Sequence, residues 1–302
     1  MIRLRPWLLL CGLALSGAPA HADDDTPGWW ERLHLTATGT VSWIDNLSRT
    51  SAEPTRKDGT TYEFGLASNQ PHQLARNLLL VGSIEASSLS VPEYDLANQV
   101  RLGGRLMLQT KFGLGAQATV LQVNAGVAHK FARFDGDRGW TTEAGVQLAK
   151  RVLPHLRVAV GASLLEHAAR SAVFDLSQHA FNADVQWDID DHWTLSGSAG
   201  RLSGDIVANA AWPVWAQAIT GGFGPAVFNY YTSRPWTTTD IYGPGWVSYN
   251  VEADVDLWSL SLAYAVSDHT SVELRRAGAF VVNKLGITYP TSTWALGLTH
   301  RF

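Results

Sequence analysis

Along most of this chain apolar and polar side chains alternate with a period of two. His34 to Trp43 sets Leu35, Ala37, Gly39, Val41 and Trp43 against Thr36, Thr38, Thr40 and Ser42. Between Gln99 and Gln109, Val100, Leu102, Leu106 and Leu108 oppose Gln99, Arg101, Arg105 and Gln109. Trp140, Thr142, Ala144, Val146 and Leu148 alternate with Thr141, Glu143, Gly145 and Gln147, and Phe181, Ala183, Val185 and Trp187 with Asn182, Asp184 and Gln186. Near the end, Trp294, Leu296, Leu298, His300 and Phe302 alternate with Thr293, Ala295, Gly297, Thr299 and Arg301. A helix would mix these sets on every face, whereas a strand separates them. The pattern predicts about twelve strands, near 33–44, 59–69, 76–90, 98–109, 116–131, 139–150, 155–167, 176–188, 192–204, 246–266, 271–282 and 290–302. Within 246–266 the apolar set changes phase between Val255 and Trp258. A β-bulge would do this, as would a strand whose upper half stands clear of lipid.

The connections alternate in length. The stretches 45–58, 91–97, 132–138, 168–175, 205–245 and 283–289 vary, while 70–75, 110–115, 151–154, 189–191 and 267–270 are short. Pro54, Pro71, Pro92, Pro154, Pro213, Pro225, Pro235 and Pro244 fall between the predicted strands, where a missing N–H breaks no ladder. An even number of antiparallel strands with long loops at one end and tight turns at the other is the plan of a transmembrane barrel. The expected fold is therefore all-β: an antiparallel up-and-down transmembrane barrel in one domain over 23–302.

Residues 1–22 read as a secretory leader. Arg3 and Arg5 precede the apolar run Trp7–Leu15, and Ala20-His21-Ala22 offers a small-x-small cleavage site before Asp23-Asp24-Asp25. The only cysteine, Cys11, lies within that run, so the remainder would carry no disulfide. A formal charge of −4 without basic blocks argues against a nucleic-acid partner. No apolar stretch long enough for a membrane-spanning helix follows the leader, which leaves strands to do the spanning. Thirteen tryptophans suit a barrel, because Trp43, Trp140, Trp187, Trp193 and Trp294 fall near strand ends, where indoles settle at the headgroup level.

The stretch Tyr289–Phe302, ending in Arg301-Phe302, resembles the C-terminal strand of single-chain Gram-negative outer-membrane barrels of the porin-like class. That resemblance implies localisation in the outer membrane, contact with its lipid and folding by the barrel-assembly machinery. The Asp45-Asn46 step resembles barrels attached to polysaccharide-export and surface-protein systems.

By alternation, Arg101, Arg105, Glu143, Arg157, Asp184, Glu273 and Arg275 should line the lumen, as should Glu85, Lys130 and Arg301. They could form a charge-selective constriction, or pair across a filled interior. Arg101 and Arg105, two inward positions apart, are the best local candidate for an anion-attracting patch. The stretch 205–245 is rich in aromatics and poor in charge, so it should fold over or into the mouth. Trp212, Trp215, Tyr230, Tyr231 and Trp236 there could contact a small solute or glycan, or simply pack into a lid. His72, His155, His192 and His269 fall in separate short turns and read as solvated residues. No cofactor or metal site is expected, since Asp135-Gly136-Asp137 is too small a set to cage Ca²⁺. An outer-membrane lipid hydrolase is a weaker reading, because the sole His-x-Ser, His269-Thr270-Ser271, lies in a short turn. The function expected is a channel or a component of envelope transport. The alternative is a plugged structural or surface-interaction barrel.

Overall fold

The computed structural model describes residues 33–302, so the expected leader lies outside the described residues. Twelve long strands form one antiparallel sheet: β1 (Leu35–Ile44), β2 (Gly59–Ala75), β3 (Leu78–Ser90), β4 (Gln99–Phe112), β5 (Thr119–Ala132), β6 (Gly139–Leu153), β7 (Leu156–Ala169), β8 (Leu176–Asp188), β9 (Trp193–Ala211), β11 (Trp246–Ser267), β12 (Thr270–Asn283) and β13 (Thr288–Arg301). The β9–β11 connection holds α1 (Trp212–Ile219), α2 (Pro225–Ser233) and the short β10 (Trp236–Thr238), which pairs with β11. Each long strand pairs with its neighbours in order, and β1 pairs with β13 from Thr36↔Arg301 to Ile44↔Thr293. The sheet is therefore closed, and every central backbone group has a partner without an edge, as hydrocarbon requires.

Register and exposure agree on which face looks out. Val41, Phe64, Leu102, Leu106, Val123, Val146, Leu164, Phe181, Leu260, Leu274 and Leu296 are all exposed and share the outer face. In a chain folded in water such a surface would be a severe liability. Around a closed sheet it is the lipid-facing band, flanked by Trp43, Trp140, Trp187, Trp193, Trp258 and Trp294. The barrel class thus places the long loops outside the cell and the tight turns in the periplasm.

The structure extends two strands well past their expected ends and explains the phase change in a third. β2 continues to Ala75, so 70–75 is strand, Pro71 pairs with Val81, and His72 belongs to a ladder and not a turn. Proline is accommodated because, among the described residues, no strand pairs with that side of β2 beyond Ser68. β9 runs to Ala211, so the long connection starts at Trp212 and not at 205. The phase change in β11 involves no bulge, because its register with β9 is unbroken from Trp246↔Ala211 to Tyr264↔Trp193. The second explanation is the correct one. Above Trp258, β9 and β11 rise past the apolar band, and their outward positions become Arg201, Ser203, Asp254 and Asp256.

Candidate functional site

The inner wall is polar, and its charges are neutralised locally. Arg105 on β4 forms an ion pair with Glu143 on β6, reaching over β5 at Gly126. Gly126 is the registered partner of both, and a Cβ there would come within 3.1 Å of the Glu143 carboxylate. The glycine thus makes room for a cross-wall ion pair. Arg275 Nε lies 3.2 Å from Glu273 Oε1, both inward on β12. On β8, Asp184 accepts a hydrogen bond from Asn182 Nδ2 at 2.6 Å and has Arg157 within electrostatic reach. Arg101 stands in register with Lys130, whose ammonium is 2.5 Å from Asp137 Oδ1. The seven lumen residues expected from alternation therefore do share the inner face. Arg101 and Arg105 do not act as one patch, because Glu143 takes the second of them. Amide and hydroxyl contacts fill much of the remaining surface, with Gln122 Nε2 donating to Gln109 at 2.9 Å and Ser198 meeting Ser259 at 2.7 Å. Ser163 is inward yet exposed, between Gly145 and Ala180 in register, so the lumen is not filled there.

The mouth is narrowed from two sides. The inward positions of upper β9 and β11 (Ile206, Ala208, Ala210, Val247, Tyr249, Val251 and Val255) are apolar and buried, together with Val281 of β12 and Tyr289 of β13. The helices α1 and α2 complete this cluster. Trp215, 1% exposed, stacks on Tyr249 with ring centroids 4.7 Å apart, and Tyr231 meets the same ring edge-on at 5.3 Å. Burial pushes the Tyr231 phenol up to about 12, and its oxygen accepts a hydrogen bond from Asn283 Nδ2 at 3.3 Å. Arg234 bonds Asp205 at 2.5 Å and also Asn250, tying the end of α2 to β9 and β11. Of the five aromatics expected at a ligand face, Trp215 and Tyr231 are thus buried in the lid and present no ring to a solute. Trp212 and Trp236 are exposed, and Tyr230 is partly so.

The second constriction comes from the β1–β2 loop, in which the sequence drew attention only to the Asp45-Asn46 step. Asn46, Leu47, Ser48 and Thr50 are all at most 3% exposed. Asn46 Nδ2 donates to the carbonyls of Thr50 (3.0 Å) and Pro290 (3.3 Å), and its Oδ1 accepts the Thr50 N–H at 3.2 Å. Asn209 Nδ2 donates to Ser48 O at 2.8 Å, and the Tyr242 hydroxyl donates to Leu47 O at 2.8 Å. Burial raises the Tyr242 phenol to about 12. Leu47 packs with Leu89, Val91, Tyr242 and Trp246 in a second apolar cluster. A cleft lined by Asn46, Leu47, Arg49, Ala277, Val281 and Tyr289 separates this loop from the inner wall of β12 and β13.

The remaining polar candidates resolve into structural contacts. Asp135 bonds Arg170 at 2.6 Å, and its carboxyl is held below the usual range by that guanidinium. Asp137 is pushed up by burial, but Lys130 and His167 outweigh this and lower it overall. His167 Nδ1 in turn lies 2.9 Å from Thr141 Oγ1. These two carboxylates face cations, which suits a tied loop tip. In the His269-Thr270-Ser271 triple, Thr270 turns outward to His300 Nδ1 at 2.9 Å, while Ser271 lies on the inward face.

No protein-family profile matches the chain, and no curated protein matches it. Solved structures do. An outer-membrane channel from Pseudomonas putida F1 superposes with a TM-score of 0.55, covering 92% of this chain and 100% of that one at 12% identity. The NanC porin gives a TM-score of 0.46 over 89% of this chain and 100% of its own, at 12% identity. Outer membrane phospholipase A from Escherichia coli gives 0.46 over 88% and 89%, also at 12% identity. Identities this low speak for the fold alone, and the fold is plain: the chain is a twelve-stranded transmembrane β-barrel of the Gram-negative outer-membrane type.

Proposed function

We propose that this barrel is a porin-like channel for small polar solutes, with its outer mouth narrowed by the β1–β2 loop and the helical β9–β11 connection. The observation that carries the reading is a charged, hydrogen-bonding interior enclosed by a sheet whose other surface is apolar. A barrel serving only as an anchor needs no run of ion pairs along its inner face, since apolar packing would serve as well. The exposed Ser163 marks open volume within the wall, and the shared fold of the Pseudomonas channel supports the same role. The pairs Arg105–Glu143 and Arg275–Glu273 leave the lumen with alternating local charge and no single-sign ring. Weak ion selectivity follows. The exposed faces of Trp212 and Trp236 at the lid suit an apolar or sugar-ring contact.

Purified protein in planar bilayers should show steady openings. Removing 213–240 should raise the conductance several-fold, and unchanged current would remove the lid from the permeation path. Glu143→Gln removes one negative charge from the wall beside Arg105, so the reversal potential under a salt gradient should move toward anions. The competing reading, a plugged surface-interaction barrel, is favoured by the buried loop at the mouth. It predicts silence both with and without the lid.

A further inference from the structure

The outer wall carries a cation that neither lumen nor lid uses. Arg276 on β12 is exposed and outward, in register with Leu260 of β11 and Trp294 of β13. Its guanidinium carbon lies 5.0 Å from the Trp294 ring centroid and 6.0 Å from that of Trp258. Gly278, the next outward position, lets this happen: a Cβ there would come within 2.4 Å of Trp258 Nε1, so the indole lies across the glycine. Two aromatic faces thus flank one arginine at the upper edge of the lipid-facing band. Below it the outward positions are Leu274, Leu262 and Leu296, and above it on β11 they are Asp256, Asp254 and Glu252.

None of those acids serves Arg276. Arg201 holds Asp254 at 3.0 Å and Asp256 at 3.8 Å, and Lys284 holds Glu252 at 2.5 Å. Among the described residues no carboxylate pairs with Arg276, whose contacts are the two indoles. A guanidinium stays charged at any pH the cell offers, and at the border of hydrocarbon its counter-charge must come from beside it. The indoles attract the cation but cannot neutralise it.

We propose that Arg276, with Trp258 and Trp294, forms a binding site for the phosphate head group of a phosphorylated outer-leaflet lipid. The planar guanidinium matches two phosphate oxygens, and the leucines below offer a track for acyl chains. The site depends only on the barrel standing in a membrane, so it survives or fails independently of conduction through the lumen.

Protein folded in detergent would be titrated with diphosphorylated lipid A and with a dephosphorylated form of equal acyl composition, with retained lipid counted by native mass spectrometry. The wild type should prefer the phosphorylated lipid by about tenfold or more. Arg276→Gln should abolish that preference, and Arg276→Lys should keep part of it. Equal preference in a folded Arg276→Gln protein, judged by heat-modifiable gel mobility, overturns the proposal. So does displacement of the lipid by millimolar inorganic phosphate, which would make this a soluble-anion site. Should Arg276→Gln not fold, Trp294→Leu decides: it leaves the charge in place and should weaken retention, whereas unaltered retention counts against the site.

Discussion

Below Trp258 the outward positions of β11 are Leu260, Leu262 and Tyr264, and the inward ones include the buried hydroxyl Ser261. Above it the outward positions are Asp256, Asp254 and Glu252, and the inward ones are Val255, Ala253 and Val251. One strand, with no bulge between its two halves, thus exchanges its polar and apolar faces. The lower half has an apolar surface on one side and the polar inner wall on the other. The upper half has water outside and the helical lid inside. Alternation therefore reports what each face touches, and its sign changes when the surroundings change places.

Three substitutions test that contrast, and a pH titration with a fourth tests a loop outside it. The largest effect should come from Trp215→Ala, which empties the centre of the upper cluster. Burial at this level costs roughly 3–5 kcal/mol on truncation to alanine. The loss should fall on the lid, seen as faster hydrogen exchange in 212–238 with the lower strands still protected. Uniform loss of protection would mean that the two halves unfold together. Next, Leu262→Arg, on the lipid side one outward position below the level of Arg276, should destabilise refolding into bilayers by about 2–4 kcal/mol, as a charge near mid-membrane does. Asp254→Leu, four outward positions higher on the same strand, should stay within about 0.5 kcal/mol, as for a surface site. Comparable costs would show that β11 sits at a different height. The smallest effect concerns pH. Lys130 and His167 hold Asp137 below its ordinary value, so its contribution is present above the unfolded carboxylate pKa and lost as pH falls through the folded one. Acidification below about pH 4 should release the loop tip at 133–138, and Asp137→Asn should flatten that dependence. Urea midpoints measured across this range provide the check.

The same contrast explains what could be read in the sequence. Where strands stand between lipid and lumen, as in Val100–Gln109 or Phe181–Trp187, faces and charges followed from residue spacing. The tail of β2 was lost because Pro71 and its polar neighbours resemble a turn, although a side of the strand with no partner among the described residues accepts proline. The tail of β9, Ile206–Ala211, lacks the alternating pattern because both its faces are covered: Ile206, Ala208 and Ala210 lie in the upper apolar cluster, and Asn209 is buried against Ser48 of the β1–β2 loop. The tuck of the β1–β2 loop rests on Asn46 bonding backbone carbonyls 244 residues away at Pro290 and close by at Thr50. No local pattern encodes such a contact. The aromatic content of 212–245 did announce a lid, but which rings it would bury depended on Tyr249 lying opposite Trp215.

The seam between β1 and β13 sets Thr36 beside Arg301, and the Phe302 amide donates to Leu35 O at 3.0 Å. The earliest strand of the wall to be synthesised thus waits for the latest, and nearly all intervening pairings can zip up before these two meet. Contacts so distant along the polypeptide form slowly. Until they do, β1 offers an unsatisfied edge to any neighbour in the aqueous compartment it crosses. Closure is thus as much a matter of timing as of geometry, and an unescorted chain would be most vulnerable in its final moments before completion.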